Sequence, residues 1–207
     1  MASLIDPKGH EVVKGFLTEE ECASIAPKLI RDEHKILRIP NPRVSGYEGT
    51  VTHQFPVYNV LTHGDVRPLR IGQRLLNLPY FDDYEEIWVQ AWFNISHLGA
   101  GIGKHTHNGP EYPVQNLTAC SVYIHGHGNN YTHFEDTGKT LNVLGDLHLV
   151  GEYHYHEVKK NLNTEPRVSL AFDVHTIHPD HLGDWGIERT EVTGLTKNWI
   201  HVKRPSV

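Results

Sequence analysis

The chain has 207 residues, 38% of them hydrophobic and 21% charged, long enough for one domain with a substantial buried core. A net charge of −6 argues against a general electrostatic grip on duplex nucleic acid, which needs a basic surface to displace counterions. A cytoplasmic protein with no membrane segment is expected: no stretch reaches roughly 18 apolar residues, the N-terminus lacks a signal-peptide layout, and Cys22 and Cys120 suit free thiols.

The first predicted element is a helix over residues 15–32. Thr18 followed by Glu21 fits a capping box, and Leu17, Cys22, Ile25, Leu29 and Ile30 supply an apolar stripe at helical spacing. Pro40, Pro42, Gly46 and Gly49 then interrupt the chain before a strand-like run over Pro56–Leu61. A second helix is predicted near Val66–Leu76, with Arg67, Arg70 and Arg74 read as a solvated face. From Glu86 the character changes to short β-rich runs separated by Gly, Asn, Asp and Pro. They cover Ile87–Ile95, Ala119–His125, Thr140–Leu144, Leu147–Val150, Tyr153–Val158, Val168–Val174 and Asn198–Val202. Residues 177–193 read as an irregular loop. Helices followed by many short strands predict a mainly β sandwich or barrel with flanking helices. The expected organisation is a single domain over 1–207, helical over about 15–78 and β over about 86–203.

The compositional outlier is histidine, with 17 residues. Most of these are expected on the surface or on strand faces, and His-x-His recurs at 105/107, 125/127 and 154/156, so one occurrence proves little. His125 and His127 adjoin glycines and suit a loop. His175, His178 and His181 fit neither a strand face nor a helix face and are read as structural or solvent-facing. His105 and His107 stand out by their company. On a strand, residues i and i+2 face one side, so both could reach one ion. A third imidazole from His156 would complete one face of a coordination sphere and leave positions open for a cosubstrate and O₂. Imidazole ligation suits Fe, Zn, Cu and Ni alike. Eleven positions later, Arg167 opens the alternating run Arg167-Val168-Ser169-Leu170-Ala171-Phe172. A buried guanidinium needs a carboxylate, either a dicarboxylate that also chelates the metal or a protein side chain such as Glu165 or Asp173.

These segments resemble the 2-oxoglutarate/Fe(II)-dependent oxygenase superfamily, in its prolyl-hydroxylase-like branches and small bacterial and phage members. Gly15-Phe-Leu-Thr-Glu-Glu-Glu-Cys22 resembles the helix entry. Trp92-Phe93-Asn94 leading to His105-Thr106-His107 resembles the strand and loop that deliver the first ligands. Gly145-Asp146-Leu147 to His156-Glu157-Val158 resembles the stretch to the distal histidine, and Pro166-Arg167-Val168-Ser169 the cosubstrate-binding strand. The resemblance implies a double-stranded β-helix (jelly roll, cupin-like). It implies Fe(II) on His105, His107 and His156, and 2-oxoglutarate held by Arg167 and Ser169 with help from Tyr123. It also implies hydroxylation of a small-molecule, peptide or nucleoside substrate by O₂, with release of succinate and CO₂. One departure is plain: the usual motif has Asp or Glu where this chain has His107, and Glu111 is the alternative carboxylate ligand. Two rival readings stand beside this one. A cupin metalloenzyme without 2-oxoglutarate would use His105, His107, Glu111 and His156, but it leaves Arg167 unexplained. A non-catalytic jelly-roll binding module would bind no iron.

Overall fold

The computed structural model describes residues 9–38, 59–107, 117–126, 130–176 and 199–205. Among them lie two α-helices, α1 (Glu19–Ile36) and α2 (Ile71–Leu76). The strands are β1 (His10–Val13), β2 (Glu86–Ser96), β3 (Ile102–His105), β4 (Leu117–His125) and β5 (Tyr131–Phe134). They continue with β6 (Gly138–Leu141), β7 (Leu147–Gly151), β8 (His156–Val158), β9 (Arg167–His175) and β10 (Ile200–Lys203). A six-stranded sheet runs β1-β7-β4-β9-β2-β10 and a four-stranded sheet runs β3-β8-β5-β6, with antiparallel neighbours throughout. Side-chain contacts from His107 to Asp173 and from His10 to Phe134 join one sheet to the other.

Alternation along the strands sets the two faces of the large sheet. Ile87, Val89, Ala91, Phe93 and Ile95 of β2 join Val168, Leu170, Phe172 and Val174 of β9 and the buried stripe of α1 in one apolar cluster. The intervening positions, among them Gln90, Asn94, Tyr123, His148, Arg167 and Asp173, turn to the small sheet. The helices therefore seal one face with hydrocarbon, and the polar residues gather between the sheets.

Thr18 caps α1 through the expected reciprocal box: the Glu21 amide donates to Thr18 Oγ1 at 3.1 Å and the Thr18 amide donates to Glu21 Oε2 at 2.9 Å. The helix begins four residues later than predicted and runs on to Ile36. Residues 15–18 form instead a turn fixed to the β6–β7 connection, where Leu17 N donates to Gly145 O at 3.0 Å and Gly15 N to Asp146 Oδ1 at 2.9 Å. The predicted second helix is broken. A 3₁₀ turn over Arg67–Leu69 precedes α2, and Arg70 between them has φ of 50°, a left-handed conformation that interrupts the helix. Arg74 is no solvated charge, since it ion-pairs with Glu21 and donates to Phe16 O at 3.0 Å.

Of the run Pro56–Leu61, residues 56–58 lie outside the described residues. Val60–Thr62 is a 3₁₀ turn capped by Asn59, whose Oδ1 accepts from Leu61 N at 3.0 Å. The strand expected at Thr140–Leu144 lies earlier, at Gly138–Leu141, because it forms a hairpin with β5. The Tyr153–Val158 run shortens to β8, and β1, β3 and β5 are additional to the predicted runs. The expected loop over 177–193 lies outside the described residues.

Candidate metal centre

His105 closes β3 and stands directly opposite His156, the first residue of β8. Their ring centroids are 4.3 Å apart, and His107 lies 5.3 Å from each. One nitrogen from each ring falls within 4.8 Å of the other two. His107 does not share a strand face with His105, because β3 has ended two residues before it. It is held instead from the opposite sheet, where Asp173 Oδ1 of β9 accepts from its Nδ1 at 2.8 Å.

Hydrogen bonding decides which nitrogens face inward. His105 Nδ1 meets Gly103 O at 2.8 Å and His156 Nδ1 meets His154 O at 2.9 Å. Each Nδ1 partner, the Asp173 carboxylate included, can only accept, so each Nδ1 carries the proton and each Nε2 a free lone pair. Burial, helped by the neighbouring imidazoles, pushes His156 down to about 2 and His105 down to about 4. Neutral imidazoles with convergent lone pairs, oriented by oxygen acceptors behind them, are what a borderline metal cation requires. The set fits a metal.

A second group, Asp32, His63 and Asp65, is as compact but does not fit. His63 Nδ1 accepts from Asp65 N at 3.2 Å, so Nε2 carries the proton and donates to Asp32 Oδ2 at 3.3 Å. Arg31 and Lys35 neutralise Asp32, and Lys28 pairs with Asp65. That histidine has no lone pair to spare.

Beyond the imidazoles lies Arg167, only 8% exposed at the start of β9. It donates to Lys159 O at 3.0 Å and Ser96 Oγ at 3.2 Å, two of five guanidinium donors. Neither Glu165 nor Asp173 forms an ion pair with it, and among the described residues no carboxylate does. Lys159 is three residues past His156, so the guanidinium meets the chain about 10 Å of extended backbone from that ring. Ser169 of β9 stands in register between Asn94 of β2 and Tyr123 of β4. Tyr123 Oη accepts from Asn130 Nδ2 at 2.7 Å and keeps its own proton to donate. A buried, cationic fork beside a row of hydroxyl and amide groups has the chemistry to receive a carboxylate.

No family model matches the chain, and no curated protein is recognisably similar in sequence. Solved structures are similar in fold. HygX from Streptomyces hygroscopicus, with nickel and 2-oxoglutarate bound, superposes with a TM-score of 0.56 at 14% identity, over 82% of this chain and 84% of that one. The non-haem α-ketoglutarate-dependent epimerase SnoN, from nogalamycin biosynthesis, gives 0.54 at 14% identity over 81% and 78%. A prolyl-4-hydroxylase from Pseudomonas putida gives 0.50 at 16% identity over 83% and 94%. This chain shares their fold. It is a double-stranded β-helix, with helices on the outer face of its larger sheet as the alternation predicts.

Within the β-helix, His105, His107 and His156 come together, while Arg167, Ser169 and Tyr123 line the adjoining stretch. Glu111 lies outside the described residues, as do His127, His178 and His181. Trp92 is buried, with its ring centroid 6.4 Å from that of His107. His154 shares no strand with His156. It precedes β8, with Nδ1 facing Gly9 O at 3.2 Å. The sequence reading missed Asp173 as the partner of His107, although its even spacing from Arg167 and Ser169 puts all three on one strand face. It also missed Ser96 and Gly126. At Gly126 an added Cβ would stand 2.5 Å from Tyr123 Oη and 3.4 Å from Arg167 Cα, so only glycine lets the chain pass over both.

Proposed function

We propose that the chain is a 2-oxoglutarate- and Fe(II)-dependent oxygenase that hydroxylates a small molecule, peptide or nucleoside: substrate C–H, O₂ and 2-oxoglutarate become substrate C–OH, succinate and CO₂. In this reading His105, His107 and His156 hold the metal through Nε2. Bound there, iron supplies the activation of O₂ that no side chain can supply. Asp173 fixes the tautomer and orientation of His107. Arg167, Ser169 and Tyr123 receive the far carboxylate of 2-oxoglutarate, and the buried walls, Trp92 among them, keep water from the centre. All three metal ligands are imidazoles in place of the two imidazoles and one carboxylate of the usual motif. The protein part of the site therefore contributes no negative charge to the metal, and Asp173 supplies one a single ring away.

The observation that carries this reading is the buried Arg167, without a carboxylate partner among the described residues, on the same β-helix as the three convergent imidazoles. A zinc or copper site without a keto acid has no use for that guanidinium. HygX with nickel and 2-oxoglutarate, and SnoN with Fe3+ and α-ketoglutarate, support the reading by fold. The test is anaerobic reconstitution with Fe(II), then oxygenation with and without 2-oxoglutarate across a panel of small molecules, peptides and nucleosides. Succinate that depends on both iron and 2-oxoglutarate is expected. Metal-loaded protein with no affinity for 2-oxoglutarate would overturn the assignment.

A further inference from the structure

β4 ends at His125 and β5 begins at Tyr131, and both ends of the connection between them close on one atom, the Tyr123 hydroxyl oxygen. At its start, Gly126 passes so near that an added Cβ would stand 2.5 Å from Tyr123 Oη and 3.4 Å from Arg167 Cα. At its end, Asn130 Nδ2 donates to the same oxygen at 2.7 Å. Asn130 is only 7% exposed, and its carbonyl accepts from Asn142 N, just past β6, at 2.8 Å. Asn142 Oδ1 in turn accepts from Thr132 Oγ1 of β5 at 2.9 Å. The amide is therefore held from the β5–β6 hairpin, not from the strand that carries Tyr123.

That amide fixes more than a distance. The phenol oxygen accepts from Asn130 Nδ2, and the Arg167 guanidinium offers only donors, so neither group can take the hydroxyl proton. Burial raises the Tyr123 pKa above its usual value, against the opposing pull of Asn130 and Arg167, so the proton is present near neutral pH. We infer that Asn130 is a positioning residue for the cosubstrate: anchored by the β5–β6 hairpin, its amide makes the Tyr123 hydroxyl a donor toward the far carboxylate of 2-oxoglutarate, beside the Arg167 fork. The inference rests on the proposed function for the identity of that anion. It adds a requirement that Arg167, Ser169 and Tyr123 do not carry by themselves, which is that the protein must not offer the hydroxyl an acceptor of its own. Asn130→Asp breaks that requirement with almost no change of shape. A carboxylate at 130 would take the proton and set a negative charge where the ligand needs donors.

The probe is 2-oxoglutarate, added to the full chain loaded with Zn(II), so that binding is read without turnover. Calorimetry should show Asn130→Ala weakening 2-oxoglutarate binding about fivefold, the loss of one neutral hydrogen bond. Asn130→Asp should weaken it further, and Zn(II) affinity should stay unchanged in both. In a Tyr123→Phe background, Asn130→Ala should have no further effect, because the amide acts only through the hydroxyl. A residue that merely fills space would lose affinity equally in the two backgrounds and would tolerate aspartate, and either result overturns the inference. The wild-type protein gives a reading that needs no variant to fold. With ¹³C at tyrosine Cζ and ¹⁵N at asparagine Nδ2, 2-oxoglutarate should move the Tyr123 and Asn130 resonances together, and an unmoved Asn130 resonance overturns it. If the Zn(II)-loaded wild type takes up no 2-oxoglutarate, the proposed function and this inference fall together. If it binds and the Asn130 variants bind equally well, this inference alone falls.

Discussion

Replacing Arg167 by alanine separates a cosubstrate receptor from a structural arginine. Among the described residues the side chain spends two of its five donors, on Lys159 O and Ser96 Oγ, which leaves three donors and the charge for a ligand. Hydrogen bonds to a charged group are each worth about 1.5–3 kcal/mol. Loss of one such contact should weaken 2-oxoglutarate binding by about 10- to 150-fold. Calorimetric titration of 2-oxoglutarate into Ni(II)-loaded protein measures this without turnover. Arg167→Lys, which keeps the charge and loses the fork, should fall between wild type and alanine. Metal affinity should change little, since Arg167 touches none of the three imidazoles. If the 2-oxoglutarate Kd of a folded Arg167→Ala protein stays within about twofold of wild type, the guanidinium is not the receptor and the reasoning fails.

Asp173→Ala removes the acceptor behind His107 and should weaken Ni(II) affinity by about 10- to 100-fold in a competition titration, as loss of a ligand's orienting partner does. Gly145→Ala should destabilise by on the order of 3 kcal/mol in urea unfolding, because φ is 79° and the new Cβ would stand 2.1 Å from Leu17 O, a backbone atom that cannot step aside. Acid should unfold the metal-free protein early. Burial holds His148 and His175 down to about 4, below the ordinary 6.5, so between those pH values the unfolded chain binds more protons than the folded one. Their stabilisation is complete above pH 6.5 and is lost as pH falls toward 4, by as much as about 3 kcal/mol for each ring. Urea midpoints at pH 7.0, 5.5 and 4.5 check the sign, and a midpoint that rises on acidification would reverse it.

The architecture is legible in the sequence wherever a long alternating or helical run faces hydrocarbon. Ile87 to Ile95 at every second position fixes both the existence of β2 and the face that meets the helices, and the Thr18–Glu21 box marks the helix start. The breaks are local backbone events without a compositional sign, as at Arg70, whose left-handed φ ends an otherwise helical pattern. The four-residue strands β1 and β5 are too short and too polar to declare themselves, and they exist because longer neighbours pair with them. The three imidazoles and Arg167 could be singled out from spacing and from the resemblance, but the means of assembly could not. His107 reaches the others because Asp173, 66 residues away on the opposite sheet, holds its ring. Equally, His63 looks like a ligand until its hydrogen bonds are traced and its lone pair is found to be in use. His175, read from sequence as structural or solvent-facing, is buried at the end of β9, which runs one residue past the predicted Val174.

The most direct test is a structure of the chain with Ni(II) and 2-oxoglutarate diffused in anaerobically. One metal should sit on Nε2 of His105, His107 and His156, with the far carboxylate of the keto acid on Arg167. Metal bound elsewhere, or a keto acid that leaves Arg167 facing only Lys159 and Ser96, would contradict the account.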